Sequence, residues 1–291
     1  MAHNHEHGHE HSNIKVAFFL NLTFTIIEII SGILFNSMAI LSDALHDLGD
    51  SFSLGLAWWM QEFSKKKNNE LYSYGYRRYS LLSALINALV LVAGSVIIIY
   101  NAIPRIFSPE QTNAQGMIGI AILGIIVNGV AVLKSKGGKA LNEQVISWHL
   151  LEDVFGWIAV FIVGVIMYFK EWYILDPLIS VFITLFILYN ILKKLKDTVL
   201  VFLQTVPKEM DLDKIINSFL AIDQVIDTHH THIWSLDSEY HVLTTHLVVK
   251  ENTTLEEYNL IKSKIREACK TFNIEHLTIQ IDHKNDLCDY D

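Results

Sequence analysis

Residues 42–50 read Ser-Asp-Ala-Leu-His-Asp-Leu-Gly-Asp, and they interrupt a long apolar segment, 37–61. A second polar group, His-Leu-Leu-Glu-Asp at residues 149–153, interrupts another apolar segment, 145–169. A charged side chain at the centre of a membrane-spanning helix costs ~2.5–3.5 kcal/mol on insertion scales. Ionisable residues in such segments therefore mark ion pathways or proton relays by default.

The spacing within the two polar groups predicts a shared metal site. Residues four apart on a helix lie one above the other, with ~5–6 Å between Cβ atoms. His46 with Asp50, and His149 with Asp153, repeat the same His-x-x-x-Asp spacing on two segments. Facing each other, the pairs offer two imidazole nitrogens and two carboxylate oxygens, which suits tetrahedral Zn²⁺ at distances of about 2.0–2.2 Å. The alternative is a set of polar contacts that hold the helices together.

Further polar residues accompany this predicted site. Asp43 and Asp47 lie on the same stripe of the 37–61 segment and extend a predicted path toward water. Glu152 lies between the two predicted ligands of the 145–169 segment, either as a proton site or as a residue that faces a neighbour. A polar stripe on the first apolar segment is interpreted as hydrogen bonding between helices: Asn21, Thr25 and Glu28.

The composition is that of a membrane protein. Hydrophobic residues make up 51% and charged residues 18% of the 291 residues. A bilayer core of ~30 Å needs about 20 mostly apolar residues per helix. We therefore predict a bundle of six transmembrane helices over residues 13–200, after a histidine-rich tail, residues 1–12. The six segments are 14–35, 37–61, 79–102, 114–134, 145–169 and 173–195.

The distribution of Lys and Arg predicts the orientation of the bundle. Eleven of them lie in the loops between segments two and three, between four and five, and after segment six. The opposite loops carry two, Arg105 and Lys170. By the positive-inside rule, both termini are predicted to be cytoplasmic. Because the chain carries no organelle signal, we expect a bacterial inner (cell) membrane.

The last part of the chain has the charge of a water-exposed domain. Residues 207–291 carry 16 acidic and 8 basic residues, against 15 and 14 in residues 1–206. The hydrophobic periodicity predicts a helix, two strands, a helix and a strand, which pack as a small ferredoxin-like α+β domain, residues 208–291, after a linker, 201–207. Thr254 and Glu257 have the spacing of a capping box. The acidic balance excludes a nucleic-acid binder.

The amino-terminal tail is rich in histidine. Such tracts are typical of metal binding, and a segment with so few apolar residues is expected to be disordered. A purification tag is the alternative, although a tag is normally an uninterrupted run. The predicted loose metal ligands are His3, His5, His7, His9 and His11.

The chain resembles the cation diffusion facilitator family, close to its bacterial and animal zinc transporters. The resemblance covers nearly the whole chain beyond residue 12. It implies a homodimer that exports Zn²⁺ from the cytosol by alternating access, in exchange for protons. The motifs that carry it are Ser42-Asp43-Ala44-Leu45-His46-Asp47 with Asp50, His149 with Asp153, Leu175-Asp176-Pro177, Val206-Pro207, His232-Ile233-Trp234-Ser235 and Thr278-Ile279-Gln280-Ile281-Asp282.

The resemblance also implies metal ligands in the carboxy-terminal domain, at His229, His246 and Asp282. Adjacent antiparallel strands bring side chains within ~5 Å, so such a cluster is physically reasonable. His283 and Cys288 are additional candidates. Some relatives bind a further metal in the loop between the second and third helices, but that loop has no His or Asp here, and we expect no site in it.

Two other functions compete with a secondary metal transporter. An intramembrane zinc hydrolase would keep one metal position open for water, whereas four protein ligands close the shell, and the chain has no His-Glu-x-x-His. We therefore expect no enzyme. A membrane-anchored zinc sensor without transport stays open. Among metals, an N₂O₂ ligand set favours Zn²⁺ first and Co²⁺ second, with little Cd²⁺.

Overall fold

The computed structural model describes residues 7–64, 68–135 and 141–283, with side chains for 18–56, 59, 68–133 and 151–283. It begins with six long helices and ends in a mixed unit of two helices and three strands, which confirms the predicted architecture. The long helices are α1 (His7–Leu34), α2 (Met38–Ser64), α3 (Arg78–Phe107), α4 (Ala114–Ser135), α5 (Leu141–Lys170) and α6 (Leu175–Phe202).

Helix α1 begins earlier than the sequence analysis placed it. It starts at His7, so residues 7–12 are helical, whereas we had assigned them to a disordered tail. Extending an existing helix fixes one residue for each new hydrogen bond, so an apolar helix propagates into a polar neighbour at little cost. His3 and His5 lie outside the described residues, as do the side chains of the other tail histidines: His7, His9 and His11.

Four helical segments in the described chain are long and apolar enough to cross a membrane, and they belong to α3, α4, α5 and α6. The described apolar part of α1, Phe18–Leu34, is shorter, and α2 carries the polar group at residues 42–50. Many large apolar side chains are exposed on the outer faces of these helices, while several polar ones are buried between helices together with apolar neighbours. This pattern is expected where the solvent is lipid.

Asp176, near the start of α6, fixes the start of α2. Its carboxylate accepts hydrogen bonds from the Ser37 hydroxyl at 2.5 Å and from the backbone N–H groups of Met38 at 2.7 Å and Ala39 at 3.3 Å. The first N–H groups of a helix have no partner within the helix, and an anion there is favourable. The Leu175-Asp176-Pro177 motif therefore positions α2 against α6.

Two more polar contacts continue along the same pair of helices. The Ser180 hydroxyl donates to the carbonyl oxygen of Met38 at 3.0 Å, and the hydroxyls of Ser42 and Thr184 lie 2.6 Å apart. The side chains of Ser42, Ser180 and Thr184 are small, which lets the two backbones approach each other. Together with the Asp176 contacts, they set the rotation of α2 about its axis and hence the direction of its acidic residues.

The chain forms two compact units, and their boundary differs from the predicted linker at 201–207. The second unit takes in the end of α6 from residue 196 and also residues 68–82, which comprise the described loop between α2 and α3 and the first residues of α3. Its regular elements are α7 (Leu212–Leu220), β1 (Val225–Ser235), β2 (His241–Val249), α8 (Leu255–Thr271) and β3 (Ile274–His283).

The carboxy-terminal sheet has the order β1-β2-β3. Strand β1 pairs antiparallel with β2, and β2 pairs parallel with its neighbour β3 through the α8 crossover. Both helices pack against this sheet around one apolar core, whose fully buried members include Phe219, Leu243, Leu247, Ile261 and Ile265. The result is a two-layer α+β domain. The face of the sheet that points away from the two helices carries His229, His246 and Asp282.

The segment at residues 68–82 belongs to this second unit through three side-chain contacts. Arg77 Nη1 lies 3.2 Å from Asp237 Oδ2, and its guanidinium carbon lies 4.2 Å from the centre of the Tyr240 ring. The rings of Tyr74 and His276 meet edge to face, with centroids 5.2 Å apart. Arg77 and Asp237 are 160 residues apart along the chain, so local sequence spacing does not predict their contact.

The structure confirms the predicted capping box at the start of α8. Thr254 N–H donates to Glu257 Oε2 at 2.7 Å, and Glu257 N–H donates to Thr254 Oγ1 at 3.4 Å. These hydrogen bonds, chiefly that from the Thr254 backbone, hold the pKa of Glu257 below its usual range.

Thr254→Ala should weaken the first turn of α8 by about 1 kcal/mol, since that is the typical cost of losing such a cap. Amide hydrogen exchange of residues 255–258 in the full chain should become about fivefold faster. Ser263→Ala, at an exposed position in the middle of the same helix, is the control and should leave these rates unchanged. Equal rates in both variants would contradict the capping role.

Candidate metal centres

The predicted membrane site lies between α2 and α5. His46 Nε2 is 3.8 Å from Asp50 Oδ2 on its own helix and 3.8 Å from Asp153 Oδ1 on α5. The structure thus brings together three of the four predicted ligands around one imidazole nitrogen. Ligand atoms of a tetrahedral zinc ion lie about 3.3–3.5 Å apart, given metal–ligand distances of 2.0–2.2 Å. The side chain of the fourth predicted ligand, His149, lies outside the described residues.

The three described ligand side chains keep contact with solvent. The exposed fractions of the side chains are 28% for His46, 33% for Asp50 and 11% for Asp153. By contrast, Asp43 and Asp47 are each only 7% exposed. The described ligands are therefore less buried than the predicted path residues, which lie deeper between the helices.

Asp43 lies at the contact between α2 and α5. The α5 residue that it faces, Gly156, is about one helical turn beyond Asp153. A Cβ atom built on Gly156 would meet Asp43 Oδ1 at 3.7 Å, so this carboxylate faces α5 across a glycine. Asp43 and Asp153 therefore belong to one acidic surface between the two helices. This position agrees with a path that continues the metal site, as the stripe on α2 predicted.

The polar stripe on α1 makes the predicted hydrogen bonds to α2. Asn21 Nδ2 donates to the Asp47 carbonyl oxygen at 3.1 Å and to Ser51 Oγ at 3.0 Å, and the Thr25 hydroxyl lies 3.4 Å from the same Ser51 oxygen. These contacts confirm the interpretation of Asn21 and Thr25 as residues that join helices. They hold α2 from α1, whereas the metal ligand on the other helix, Asp153, belongs to α5.

Glu28 differs from the other two residues of the α1 stripe, because within the described residues it does not make the hydrogen bond to another helix that its spacing predicts. Its side chain is fully buried, and neither carboxylate oxygen has a hydrogen-bond partner in the described part of the chain. No Lys or Arg occurs among the described buried residues. An uncompensated buried carboxylate is costly, so we expect a proton or a cation to neutralise it. Its spacing from Asn21 and Thr25 was the available signal, but it did not distinguish Glu28 from its hydrogen-bonding neighbours.

A second cluster lies on the carboxy-terminal sheet and contains the three predicted ligands, His229, His246 and Asp282. Their ligand atoms lie within 4.8 Å of one another. Asp282 Oδ2 is 2.9 Å from His246 Nδ1 and 3.4 Å from His229 Nε2. The register explains the cluster: His229 lies directly opposite His246 in the β1–β2 pair, and β3 brings Asp282 in beside β2.

The electrostatics of this cluster suit a divalent cation. Partial burial opposes ionisation of Asp282, but hydrogen bonds from Gln280 and His246, and the nearby imidazoles, hold the pKa of Asp282 below its usual range. It is therefore a carboxylate at neutral pH. His229 Nε2 is buried and makes no hydrogen bond within the described residues, which leaves a nitrogen lone pair for a metal in the neutral imidazole.

His283, one of the two additional ligand candidates, does not join the described cluster. His283 follows Asp282 on β3 and so points to the other face, where its Nε2 lies 3.2 Å from the Tyr258 hydroxyl. Cys288 lies outside the described residues. Cys269 is buried in the apolar core, and burial raises the pKa of its thiol to about 11. His241 is buried, with Nδ1 2.8 Å from Ser235 Oγ.

Two family profiles together match most of the chain. The profile described as "Cation efflux transmembrane domain" matches residues 14–203, and that described as "Cation efflux protein, cytoplasmic domain" matches residues 207–284. The first match contains the membrane site, and the second contains the cluster on the carboxy-terminal sheet.

Similar proteins come from several bacteria. A "Cadmium, cobalt and zinc/H(+)-K(+) antiporter" of Bacillus subtilis (strain 168) is 33% identical over 97% of this chain and 92% of its own length. "Metal cation efflux system protein CzcD" of Cupriavidus metallidurans is 32% identical over 97% and 89%. "Zinc transporter ZitB" of Pectobacterium atrosepticum is 30% identical over 100% and 91%.

One solved structure covers the carboxy-terminal region alone. It is the "Metal-bound C-terminal domain of the CzcD transporter", which is 30% identical to this chain. The match covers 25% of this chain and 99% of that one, with a TM-score of 0.23.

Proposed function

This chain belongs to the cation diffusion facilitator (cation efflux) family and is a membrane transporter of divalent metal cations; on this basis we propose that it is a zinc/proton antiporter. It works as a homodimer by alternating access, in a bacterial inner membrane, with both termini in the cytoplasm. The observation that carries the proposal is the approach of Asp50 and Asp153 to one nitrogen of His46.

The membrane site is proposed to be the transport site, with His46, Asp50, His149 and Asp153 as ligands. These ligands are divided between two helices, α2 and α5. A small shift between these helices would open the four-ligand shell and release the ion. Asp43, Asp47 and Glu28 provide buried carboxylate oxygens beside the site, which can carry a proton or a cation along the path.

Asp153→Ala should abolish Zn²⁺ flux into proteoliposomes, because it removes one of the ligands near His46. Asp50→Ala should do the same on the other helix. The matched control is Glu152→Ala, which removes an exposed acid from the neighbouring position of α5 and should leave flux near the unmodified rate. Normal flux in Asp50→Ala or Asp153→Ala would refute the site, provided that all variants run as intact dimers.

Metal binding and proton binding compete at such a site. Ligand histidines must be neutral to bind a metal, and a free histidine titrates near pH 6.5, so zinc binding releases protons from the site. On the acidic side of the membrane the imidazoles become protonated and expel the ion. The proton gradient thereby drives export from the cytoplasm.

Vesicles with an acidic lumen and the cytoplasmic face outward should accumulate Zn²⁺ and lose internal acidity at the same time. An ionophore that collapses the pH gradient should stop accumulation above the external concentration. Replacing K⁺ by Na⁺ in the same vesicles tests whether potassium contributes, as the name of the Bacillus subtilis relative indicates for that protein. Uphill transport that persists without a pH gradient would exclude proton coupling.

The ligand chemistry predicts the order of metals. Mg²⁺ and Ca²⁺ prefer six or more oxygen ligands, and Mn²⁺ also prefers oxygen-rich surroundings. Zn²⁺ accepts a tetrahedral N₂O₂ set without a geometric penalty, and we propose Co²⁺ second and little Cd²⁺. The rate of Cd²⁺ transport tests this order most sharply. We propose little Cd²⁺ transport here, whereas the name of a relative that is 33% identical includes cadmium.

His46→Asp should keep zinc flux and gain Cd²⁺ flux, because it replaces one nitrogen by oxygen and loosens the geometry of the site. Competition assays in proteoliposomes, with Zn²⁺, Co²⁺, Cd²⁺ and Mn²⁺ at equal concentrations, measure the order directly. Equal rates for Cd²⁺ and Zn²⁺ in the unmodified protein would contradict the compact tetrahedral geometry.

The carboxy-terminal cluster is proposed to be a regulatory zinc site that senses cytosolic metal and tunes the dimer without carrying the transported ion. It lies on the sheet of the second unit, whereas the proposed transport site belongs to the first. Its donor set of His229, His246 and Asp282 matches zinc chemistry. The alternative, a membrane-anchored zinc sensor without transport, is excluded by metal flux into sealed vesicles and supported by metal binding without flux.

A further inference from the structure

An irregularity in β1 changes which side chains reach the carboxy-terminal metal cluster. Opposite β2, His229 pairs with His246 and His232 pairs with Thr244, so three steps along β1 match two along β2. One extra residue therefore lies in β1 between His229 and His232, which is the definition of a β-bulge. Bulges redirect side chains and are frequent beside functional sites.

The hydroxyl contacts around the bulge show which side chains it redirects. Thr228 Oγ1 lies 2.8 Å from Thr245 Oγ1, and Thr231 Oγ1 lies 2.7 Å from the same atom. Thr228 and Thr231 are three residues apart, yet both face Thr245. In a regular strand, residues three apart point to opposite faces. The two residues between them, His229 and His230, are therefore both turned to the face of His246.

The three imidazole rings form a nearly equilateral triangle. Their centroids are 5.2 Å apart for His229 and His246, 5.4 Å for His230 and His246, and 5.5 Å for His229 and His230. A tetrahedral zinc ion with Zn–N distances of 2.0–2.1 Å would place the ring centroids of its histidine ligands about 5.2 Å apart. The observed triangle has the size that a three-histidine metal site requires.

His230 also has an unusual backbone conformation. Its φ is +45°, in the left-handed region that non-glycine residues seldom adopt. Such a conformation is unfavourable for a non-glycine residue and persists at ligand-binding sites where the surroundings stabilise it. Metal coordination through the side chain would offset this cost.

We propose that His230 is a fourth ligand of the carboxy-terminal metal site, which is then a His₃Asp site made of His229, His230, His246 and Asp282. The proposal rests on the regulatory site proposed above and deepens it. In the structure, the set whose ligand atoms lie within 4.8 Å comprises His229, His246 and Asp282. Rotation of the His230 ring about its χ angles brings a nitrogen into the set, because the ring centroid already has the required distance.

The fourth ligand has a consequence for how the site binds metal. Three protein ligands leave one tetrahedral position for water or for another molecule, whereas four close the shell as in structural zinc sites. A closed His₃Asp site binds zinc more tightly than the open one. It also draws His230 toward the ion, so metal binding would change the bulge and the edge of β1.

The test measures metal binding to the purified full chain in detergent. The background variant lacks residues 2–12 and carries Asp50→Ala and Asp153→Ala, so that the tail and the membrane site do not contribute. Co²⁺ titrations report coordination through the visible ligand-field absorption, which is intense for four-coordinate tetrahedral ions. Zn²⁺ affinity is measured by competition with a chromophoric chelator.

In this background, His230→Asn should weaken Zn²⁺ binding about tenfold or more and alter the Co²⁺ absorption. Asn tolerates positive φ, so the fold should persist, and His230→Gly is a second variant with the same expectation. The matched control is His232→Asn, which changes an exposed histidine of the same strand whose ring centroid lies 6.2 Å from that of His230. It should bind like the background.

A third variant separates failure of this proposal from failure of the site as a whole. His246→Ala should abolish binding. If His246→Ala abolishes binding but His230→Asn and His230→Gly leave both affinity and absorption unchanged, His230 is not a ligand. If His246→Ala has no effect, the regulatory site itself is absent and the proposal about His230 falls with it, while the transport proposal is unaffected.

Discussion

The cost of placing a carboxylate in hydrocarbon determines the arrangement of the membrane unit. Helix α2 carries acidic residues at 43, 47 and 50, and each charge is worth ~2.5–3.5 kcal/mol against insertion. The structure avoids lipid contact by turning Asp43 and Asp47 into the interior, beside the fully buried Glu28. The large apolar side chains lie on the outside. The polar interior therefore contributes to the helix packing, and it also contains the side chains proposed to bind metal ions and protons.

Hydrogen bonds on either side of α2 convert this constraint into a defined geometry. Asp176 caps the start of the helix from α6, and Asn21 binds its middle from α1. With its position and rotation set in this way, α2 presents His46 and Asp50 toward Asp153 on α5. The metal ion that we propose between α2 and α5 would complete the neutralisation that the carboxylates need. Binding an ion and packing the helices are thus two aspects of one electrostatic requirement.

The carboxy-terminal domain reaches a similar donor set by another route. Its histidines and aspartate come from three strands, so strand register rather than helical spacing brings them together. A single extra residue in β1 turns His229 and His230 to the same face as His246. The loop that carries Arg77 is held to the turn after β1 of this domain by Asp237 and Tyr240, close in sequence to the strand that bears the cluster.

The sequence by itself determined whatever depends on local spacing. Apolar segment lengths predicted the helical bundle, and alternation predicted the αββαβ domain. The i to i+4 rule paired His46 with Asp50, and the capping box placed the start of α8. Only the tertiary structure decided features that depend on contacts between distant segments. These are the burial of the Glu28 carboxylate, the cap that Asp176 provides for α2, and the bulge that turns His230 beside His229. Helical and strand periodicities are encoded in neighbouring residues, whereas register shifts, helix rotation and burial depend on which distant surfaces meet.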